Sequence, residues 1–130
     1  IEVLWGDEKE KALASKIQSY NPDKIVLSPK MNLKELQDKM YQFDLALGLD
    51  SAPLHMAEYC QIPTFSFFGP TSASVYKPLS HLHGFIEGTC LFKQIPVRPK
   101  MRTCKNNKCM SFNKNEFNFL FNNWFIENFI

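Results

Sequence analysis

The sequence predicts an α/β fold in which a parallel sheet is flanked by helices. Short apolar runs alternate with helical patterns through the first two-thirds of the chain, which is typical of β-α units. The run Thr64–Phe68 has the apolar character of a central parallel strand, and Gly69-Pro70 ends it sharply. With 130 residues, 45% of them apolar and 22% charged, the chain can bury the core of one domain.

The elements of this fold follow one another with recognisable start and stop signals. Asp7 and Asn32 are predicted to cap two helices, and Glu35 completes an approximate capping box with Asn32. The expected buried faces of these two helices are Ala12, Leu13 and Ile17, and then Leu33, Leu36, Met40 and Phe43. The predicted strands are Ile1–Trp5, Lys24–Leu27, Leu45–Leu49, Thr64–Phe68 and a short one at Phe85–Ile86, and a further helix covers Ser51–Cys60.

The C-terminal segment Asn113–Ile130 predicts a helix that is apolar on more than one face. Such a helix should be buried on several sides, so we expect it to pack on another domain or a second chain. We therefore divide the chain into an α/β domain over residues 1–112 and this aromatic helix over residues 113–130.

Composition excludes several classes of protein. A net charge of +2 is too small to indicate nucleic-acid binding, and no apolar run approaches the ~20 residues of a membrane-spanning helix. The N-terminus lacks the basic and apolar segments of a signal peptide and begins with Ile1 inside a predicted strand, which suggests a piece of a longer chain.

The four cysteines are too few and too irregularly spaced for a disulfide scaffold, so reduced thiols in a cytosolic protein are the default expectation. Cys104 and Cys109 stand at the wide limit of zinc-ligand spacing without a matching second pair. We therefore predict no metal site at these cysteines.

The turn Gly48–His55 is the strongest candidate for a binding site. The carboxyl ends of parallel strands meet at one edge of a sheet, where ligands bind. Asp50 ends a strand, Ser51 can cap the next helix, and Pro53 falls near its first position, where a missing N–H costs nothing. The free amides of that first turn suit a pyrophosphate, with His55 in reach. Spacing alone favours an ordinary helix cap and a structural histidine, because caps of this kind are very frequent.

Four motifs in order resemble the heptosyltransferases, bacterial enzymes of lipopolysaccharide inner-core assembly. The segment Asp50–Ala57, with Ile62-Pro63 and Phe68–Thr71 after it, is similar to their pattern Asp-Ser/Thr-Gly-x-x-His-x-Ala, a Pro-led strand and Gly-Pro-Thr/Ser. Upstream, Leu4–Gly6 and Pro29–Met31 are similar to the Pro-Trp-Gly and Pro-Lys-Met segments of the heptosyltransferase I type. The resemblance covers roughly residues 1–78.

This resemblance implies a Rossmann-like half of a GT-B glycosyltransferase that binds the donor ADP-heptose and needs no cofactor. It implies that Asp50 hydrogen-bonds the sugar, that the amides of Ser51 and Ala52 face the phosphates, and that His55 lies at the sugar-phosphate end. The other implied donor contacts are Pro29, Lys30 and Met31 around the adenine, Glu10 at the ribose and Thr71 as an extra polar contact.

The chain departs from the family pattern in two respects. Ala52 replaces the usual Gly and brings a methyl group towards the phosphates. The family's N-terminal domain, which carries the general base of an inverting transfer, has no counterpart, so we expect the fragment alone to be inactive. A non-catalytic nucleotide-binding module, or a GT-B enzyme with another nucleotide sugar, is the alternative.

The resemblance also implies an acceptor and a location. The acceptor would be the lipopolysaccharide core glycolipid, and the protein would be cytoplasmic, peripheral on the inner membrane of a Gram-negative bacterium. A basic segment is compatible with contact to an anionic membrane surface or phosphorylated lipid, or with a merely solvated surface; it comprises Lys93, Arg98, Lys100, Arg102, Lys105 and Lys108.

Overall fold

The computed structural model describes residues 1–90, 104 and 106–130. The chain forms two compact units, Ile1–Asp38 and Lys39–Ile130, and each has its own parallel sheet with helices against it. The predicted α/β class is therefore confirmed. The division at residue 113 stays a prediction. Of the basic segment, Lys93, Arg98, Lys100, Arg102 and Lys105 lie outside the described residues.

The first unit is one β-α-β turn of the chain. Strand β1 (Glu2–Val3) pairs in parallel with β2 (Val26–Leu27), and helix α1 (Glu8–Ser19) connects them. Asp7 caps α1 as predicted, because its Oδ1 accepts the amides of Lys9 and Glu10 at 2.8 Å. Both strands are shorter than predicted.

The predicted buried face of α1 is wrong. Ala14 is the buried residue of this helix, whereas Ala12, Leu13 and Ile17 are exposed. In its own unit α1 packs on two strands of two residues each, and so short a surface covers only a narrow strip of a helix.

Helix α2 (Leu33–Met40) begins in the first unit and ends in the second. Its predicted capping box is confirmed: Asn32 Oδ1 accepts the amides of Lys34 and Glu35, and Glu35 Oε2 accepts the Asn32 amide at 2.8 Å. Of the predicted apolar stripe, Met40 is buried, whereas Leu33 at the first turn is exposed.

The second unit contains a three-stranded parallel sheet with β4 at its centre. The strands are β3 (Ala46–Leu49), β4 (Thr64–Phe68) and β5 (His83–Glu87). Helix α3 (Ala52–Tyr59) joins β3 to β4, and the single-turn helix α4 (Ala73–Tyr76) follows β4. A 3₁₀ turn at Lys108–Met110 precedes helix α5 (Lys114–Phe129).

Alternation along β4 gives this sheet two different faces. Phe65 packs with Ile86 and Trp124 on the face covered by α5. Phe68 packs with Leu54 of α3 and Ala73 of α4 on the opposite face. Buried Thr64 and Ser66 lie on this second face, so β4 is central and buried as predicted but not fully apolar.

Helix α5 packs closely on β5 through Trp124. A side chain at Gly84 would fall 2.5 Å from the Trp124 ring, so only glycine lets the indole lie on the strand. The indole N–H donates to the Leu82 carbonyl at 3.0 Å. Among the described residues this helix is not covered on every side, since Phe119 and Ile126 are exposed. Docking of that exposed side on another domain or partner stays a prediction.

The four cysteines carry free thiols, and Cys109 is buried in the 3₁₀ turn, where a side chain at Gly88 would overlap its carbonyl. Burial, followed by the neighbouring Cys90, raises the pKa of the Cys109 thiol. In the described residues no three His, Cys, Asp or Glu side chains are grouped as metal ligands would be. No helix in the described part of the chain is long and apolar enough to cross a bilayer.

Candidate functional site

The turn from β3 into α3 places Asp50 and Ser51 at the carboxyl edge of the second sheet. β3 ends at Leu49, and Ser51 takes the extended N-cap conformation with φ −159° and ψ 164°. The Ser51 hydroxyl, however, donates to the Leu49 carbonyl at 3.1 Å and does not accept a helix amide. The predicted side-chain cap is therefore wrong, although Ser51 occupies the cap position.

The first turn of α3 offers fewer free amides than the sequence predicts. The amides of Leu54 and His55 donate to the Ser51 carbonyl at 3.1 and 3.4 Å. Pro53 has no N–H. The Ala52 amide, at the first helical position, has no intrahelical acceptor. An anion here would thus meet the Ala52 N–H, the positive end of the helix dipole and the groups around them.

Asp50 and His55 are close to one another, as the predicted site requires. Asp50 Oδ1 lies 3.5 Å from His55 Nε2, and the two side chains are 18% and 46% exposed. A histidine next to a carboxylate and beside a helix N-terminus can donate a hydrogen bond to a phosphate oxygen. Asp50 retains a second oxygen that can accept from a sugar hydroxyl.

Glu58, on the next turn of α3, is a second carboxylate that sequence analysis missed. Its Oε2 lies 4.0 Å from His55 Nδ1, and its Oε1 accepts the amides of Leu79 and Ser80 at 2.7 and 3.2 Å. His55 and Glu58 are three residues apart, which places them on one face of a helix, and this spacing was a signal available in the sequence. The loop before β5, whose Leu79 and Ser80 amides hold the Glu58 carboxylate, could not be recognised in the sequence.

The carboxyl ends of the two other strands of this sheet carry further polar groups. Thr71, half-buried, lies in the turn after β4, and Ser72 begins α4 without a side-chain cap. Instead, Glu87 at the end of β5 accepts the Ala73 amide at 3.2 Å. Thr71 is thus placed at the predicted edge, and Glu87 was not identified from the sequence.

His83 is the other polar residue that sequence analysis missed. Its Nδ1 lies 2.5 Å from Thr64 Oγ1 and its Nε2 3.1 Å from Ser66 Oγ, so both ring nitrogens are bound by β4 hydroxyls. Burial lowers the pKa of His83 to about 4; Glu58 opposes this shift, and Lys77 and His55 add to it. His83 is therefore a neutral structural histidine beneath α3.

The remaining predicted donor contacts belong to the first unit. Pro29 and Lys30 are exposed and Met31 is half-buried, in the loop between β2 and α2. Before this loop, the buried Ser28 accepts the Trp5 indole N–H at its carbonyl, at 2.7 Å. Glu10 Oε2 accepts the Gly6 amide at 2.7 Å, which fixes the turn before α1.

Comparison with known proteins gives one family and one curated relative. The model of glycosyltransferase family 9 (heptosyltransferase) matches residues 1–109. Lipopolysaccharide heptosyltransferase 1 of Campylobacter coli is 34% identical over 70 residues, which are 52% of this chain and 20% of that protein. The chain thus spans about a fifth of the length of this relative.

Two solved structures share the fold. Both are of E. coli heptosyltransferase WaaC, one with ADP-2-deoxy-2-fluoro heptose and one with ADP. Their TM-scores are 0.60 and 0.62, each at 18% identity. The first match covers 68% of this chain and the second 65%, and each covers 26% of the solved chain. The likeness supports the α/β fold, and the shared portion is about a quarter of that protein.

Proposed function

Because this chain belongs to glycosyltransferase family 9, the heptosyltransferases, we propose that it is the donor-binding part of a heptosyltransferase. The observation that carries the proposal is the start of α3. There Asp50 and His55 lie 3.5 Å apart beside a helix N-terminus that its own Ser51 side chain leaves open. A nucleotide-sugar donor presents a diphosphate and a hydroxylated ring, which are the groups that such a site binds.

Each group at this turn has a role in the proposal. The amides of Ser51 and Ala52 and the α3 dipole receive the diphosphate, and His55 donates to the diphosphate oxygen on which negative charge develops as its bond to the sugar breaks. Asp50 accepts from hydroxyls of the sugar. The Ala52 methyl makes the approach of the phosphate less close than glycine would allow.

The first unit and the β4 turn supply the proposed nucleotide contacts. Pro29 and Lys30 line the adenine, and the polarisable Met31 lies against the base. Glu10 is assigned to the ribose hydroxyls with the carboxylate oxygen that does not accept the Gly6 amide. Thr71 adds a hydroxyl near the phosphates.

For the whole protein we propose inverting transfer of heptose from ADP-heptose to the lipopolysaccharide inner core. The name of the Campylobacter coli relative and the donor analogue in a WaaC structure support this substrate pair. We assign the catalytic base to a region outside this chain, so the 130 residues alone should bind donor without turnover. A cytoplasmic location at the inner-membrane surface follows from the membrane-embedded acceptor.

Isothermal titration with ADP, UDP and CMP tests the nucleotide. We expect heat of binding for ADP and at least tenfold weaker binding of the others, a difference of about 1.4 kcal/mol. A preference for UDP would reassign the chain to another nucleotide-sugar glycosyltransferase. Binding of ADP without binding of ADP-heptose would favour a non-catalytic nucleotide module.

Substitutions at the α3 start test the site. Asp50→Ala should weaken ADP-heptose more than ADP, and His55→Ala should weaken both by about tenfold, as expected for a charge-assisted hydrogen bond. Asp44→Ala and His81→Ala are matched controls, since both residues are exposed in the same unit and outside the site. Wild-type affinity in both site variants would place the pocket elsewhere.

A further inference from the structure

The 3₁₀ turn Lys108–Met110 lies against the carboxyl ends of β4 and β5, where two glycines make room for it. A side chain at Gly88 would overlap the Cys109 carbonyl oxygen, and one at Gly69 would fall 3.0 Å from the same atom. The Gly88 amide donates to the Phe68 carbonyl at 2.8 Å, so Gly88 continues the pairing of β4 with β5. The backbone of Cys109 is therefore held in contact with the end of β5.

This contact brings Cys109 next to a second cysteine. Cys90 follows Gly88 by two residues, which is at most about 7 Å of extended chain, and its thiol is a hydrogen-bond partner of the Cys109 thiol. Burial is the main cause of the raised pKa of Cys109, and this hydrogen bond adds to it, as expected when the Cys109 S–H donates to the Cys90 sulfur. Cys90 is half-buried, whereas Cys109 is 8% exposed, so Cys90 is the residue open to reagents.

The exposed Cys104 is the competing partner for Cys109. Its thiol donates to the Asn106 carbonyl at 3.3 Å, and it influences Cys109 through charge alone and less than Cys90 does. Cys104 is five residues from Cys109 in the sequence and Cys90 is 19, so an unfolded chain closes the shorter loop more readily. The fold, and not the sequence separation, places Cys109 with Cys90.

We propose that Cys90 and Cys109 form a dithiol that a low-molecular-weight disulfide oxidises to an intramolecular disulfide. The Cys90 thiolate attacks one sulfur of the reagent, which breaks the reagent S–S bond, forms a mixed disulfide on Cys90 and releases one thiol. The Cys109 sulfur then loses its proton to solvent, attacks the Cys90 sulfur and releases the second thiol. The protein dithiol loses two electrons and two protons, and the reagent gains them. This site does not depend on the proposed donor site.

Burial and protonation set the order of the two steps. The thiolate is the nucleophile in this exchange, and a buried thiol with a raised pKa is a poor first attacker. The second step is intramolecular, so the high effective concentration of the Cys109 sulfur compensates for its low thiolate fraction. The product joins the residue that follows β5 to the turn that precedes α5.

Mass mapping of the 130-residue protein after treatment with oxidised glutathione tests the pairing. Remaining thiols are blocked with iodoacetamide before digestion. In the native protein we expect a Cys90–Cys109 cross-link, formed equally in Cys104→Ser, and in urea we expect the product to shift to Cys104–Cys109. No native cross-link, a native cross-link that includes Cys104, or the same pairing in native and unfolded protein overturns the proposal.

Two variants separate the steps of the reaction. Cys109→Ala should stop at a glutathione mixed disulfide on Cys90, and Cys90→Ser should leave Cys109 unmodified over the same time. Cys60→Ser, at the end of α3, is the matched control and should cross-link as the wild type does. Modification of Cys109 in C90S at the rate seen for Cys90 overturns the proposal, and this result decides even if C109A does not fold.

The melting temperature provides the second readout. A disulfide that closes a loop of about 20 residues restricts the unfolded chain, so the oxidised wild type should melt at least about 5 °C above the reduced protein. The same treatment should leave the melting temperature of C90S unaltered. A lower melting temperature in the oxidised wild type would mean that the two cysteines are not placed to accept the bond, and it overturns the proposal.

Discussion

The two faces of the β3–β4–β5 sheet are built from the same strands but from different chemistry. The α5 face is aromatic: Phe65 lies 5.5 Å from the Trp124 ring and 5.8 Å from Phe117. The α3 face is mixed, since Thr64 and Ser66 hold the imidazole of His83 beside a small apolar cluster. The start of α3, where the candidate site lies, is on the mixed face.

This difference separates stability from binding. Burial of aromatic area on the α5 face stabilises the second unit through the hydrophobic effect. The mixed face depends on hydrogen bonds, which fix positions but are costly when left unmade. Substitutions on the α5 face should thus change unfolding free energy, whereas those on the α3 face should also change pH dependence and ligand binding.

The largest expected effect is on the aromatic face. Trp124→Ala removes a side chain that is 6% exposed, and we expect a loss of about 3–5 kcal/mol in the free energy of unfolding. Phe119→Ala on the same helix is the control, because Phe119 is 65% exposed and should cost less than about 0.5 kcal/mol. Urea unfolding followed by far-UV circular dichroism measures both, and equal losses would contradict the assignment of α5 faces.

The second effect is a pH dependence that originates on the mixed face. His83 has a pKa of about 4 in the folded protein, against 6.5 for an unperturbed histidine. Between these values the unfolded chain binds the extra proton, so stability is complete above pH 6.5 and falls as the pH approaches 4. Because the ring is only partly buried, we expect this contribution to be about 1–2 kcal/mol.

Paired histidine variants identify the source of this pH dependence. His83→Gln should reduce the loss of stability between pH 6.5 and 4, although it lowers stability at neutral pH. His81→Gln should leave the profile as in wild type, since His81 is exposed. If both variants keep the wild-type profile in urea titrations at a series of pH values, His83 is not the titrating group.

The smallest effect concerns the end of α3, which leaves both sheet faces unaltered. Gln61 has φ 59°, and the amides of Gln61 and Ile62 donate to Glu58 and Ala57 carbonyls in a Schellman arrangement. Glycine takes this conformation without strain, so Gln61→Gly should raise the unfolding free energy by about 0.5–1 kcal/mol.

Thermal unfolding measures the change in stability of Gln61→Gly. Gln37→Gly, within α2, is the matched control, and its unfolding free energy should fall by about as much as that of Gln61→Gly rises. A loss at Gln61 as well would mean that the left-handed turn is not strained.

Local signals in the sequence predicted much of this architecture. Asp7 and Asn32 were recognisable caps because a short polar side chain needs only the next few residues to act. The central position of β4 followed from its bulky apolar residues. The helix 113–130 was similarly clear from its composition.

Features that depend on distant residues were not predictable. His83 falls where the periodic pattern weakens, and its partners Thr64 and Ser66 become neighbours only when β5 pairs with β4. The Ser51 hydroxyl donates to the Leu49 carbonyl and does not accept a helix amide. Both hydrogen bonds are local, so the spacing of residues in the sequence does not decide between them. Leu13 and Ile17 followed a helical period, but a period does not show how wide the opposing surface is.

The helix starts differ in what an incoming anion would have to displace. At α1, α2 and α5, the side chains of Asp7, Asn32 and Asn113 already accept first-turn amides. A tethered acceptor competes at a high effective concentration, which a free phosphate at cellular levels does not match. At α3, among the described helices of eight residues or more, the N-cap side chain does not compete. The start of α3 is thus the one among these helices at which a bound anion would displace no side chain of the protein itself.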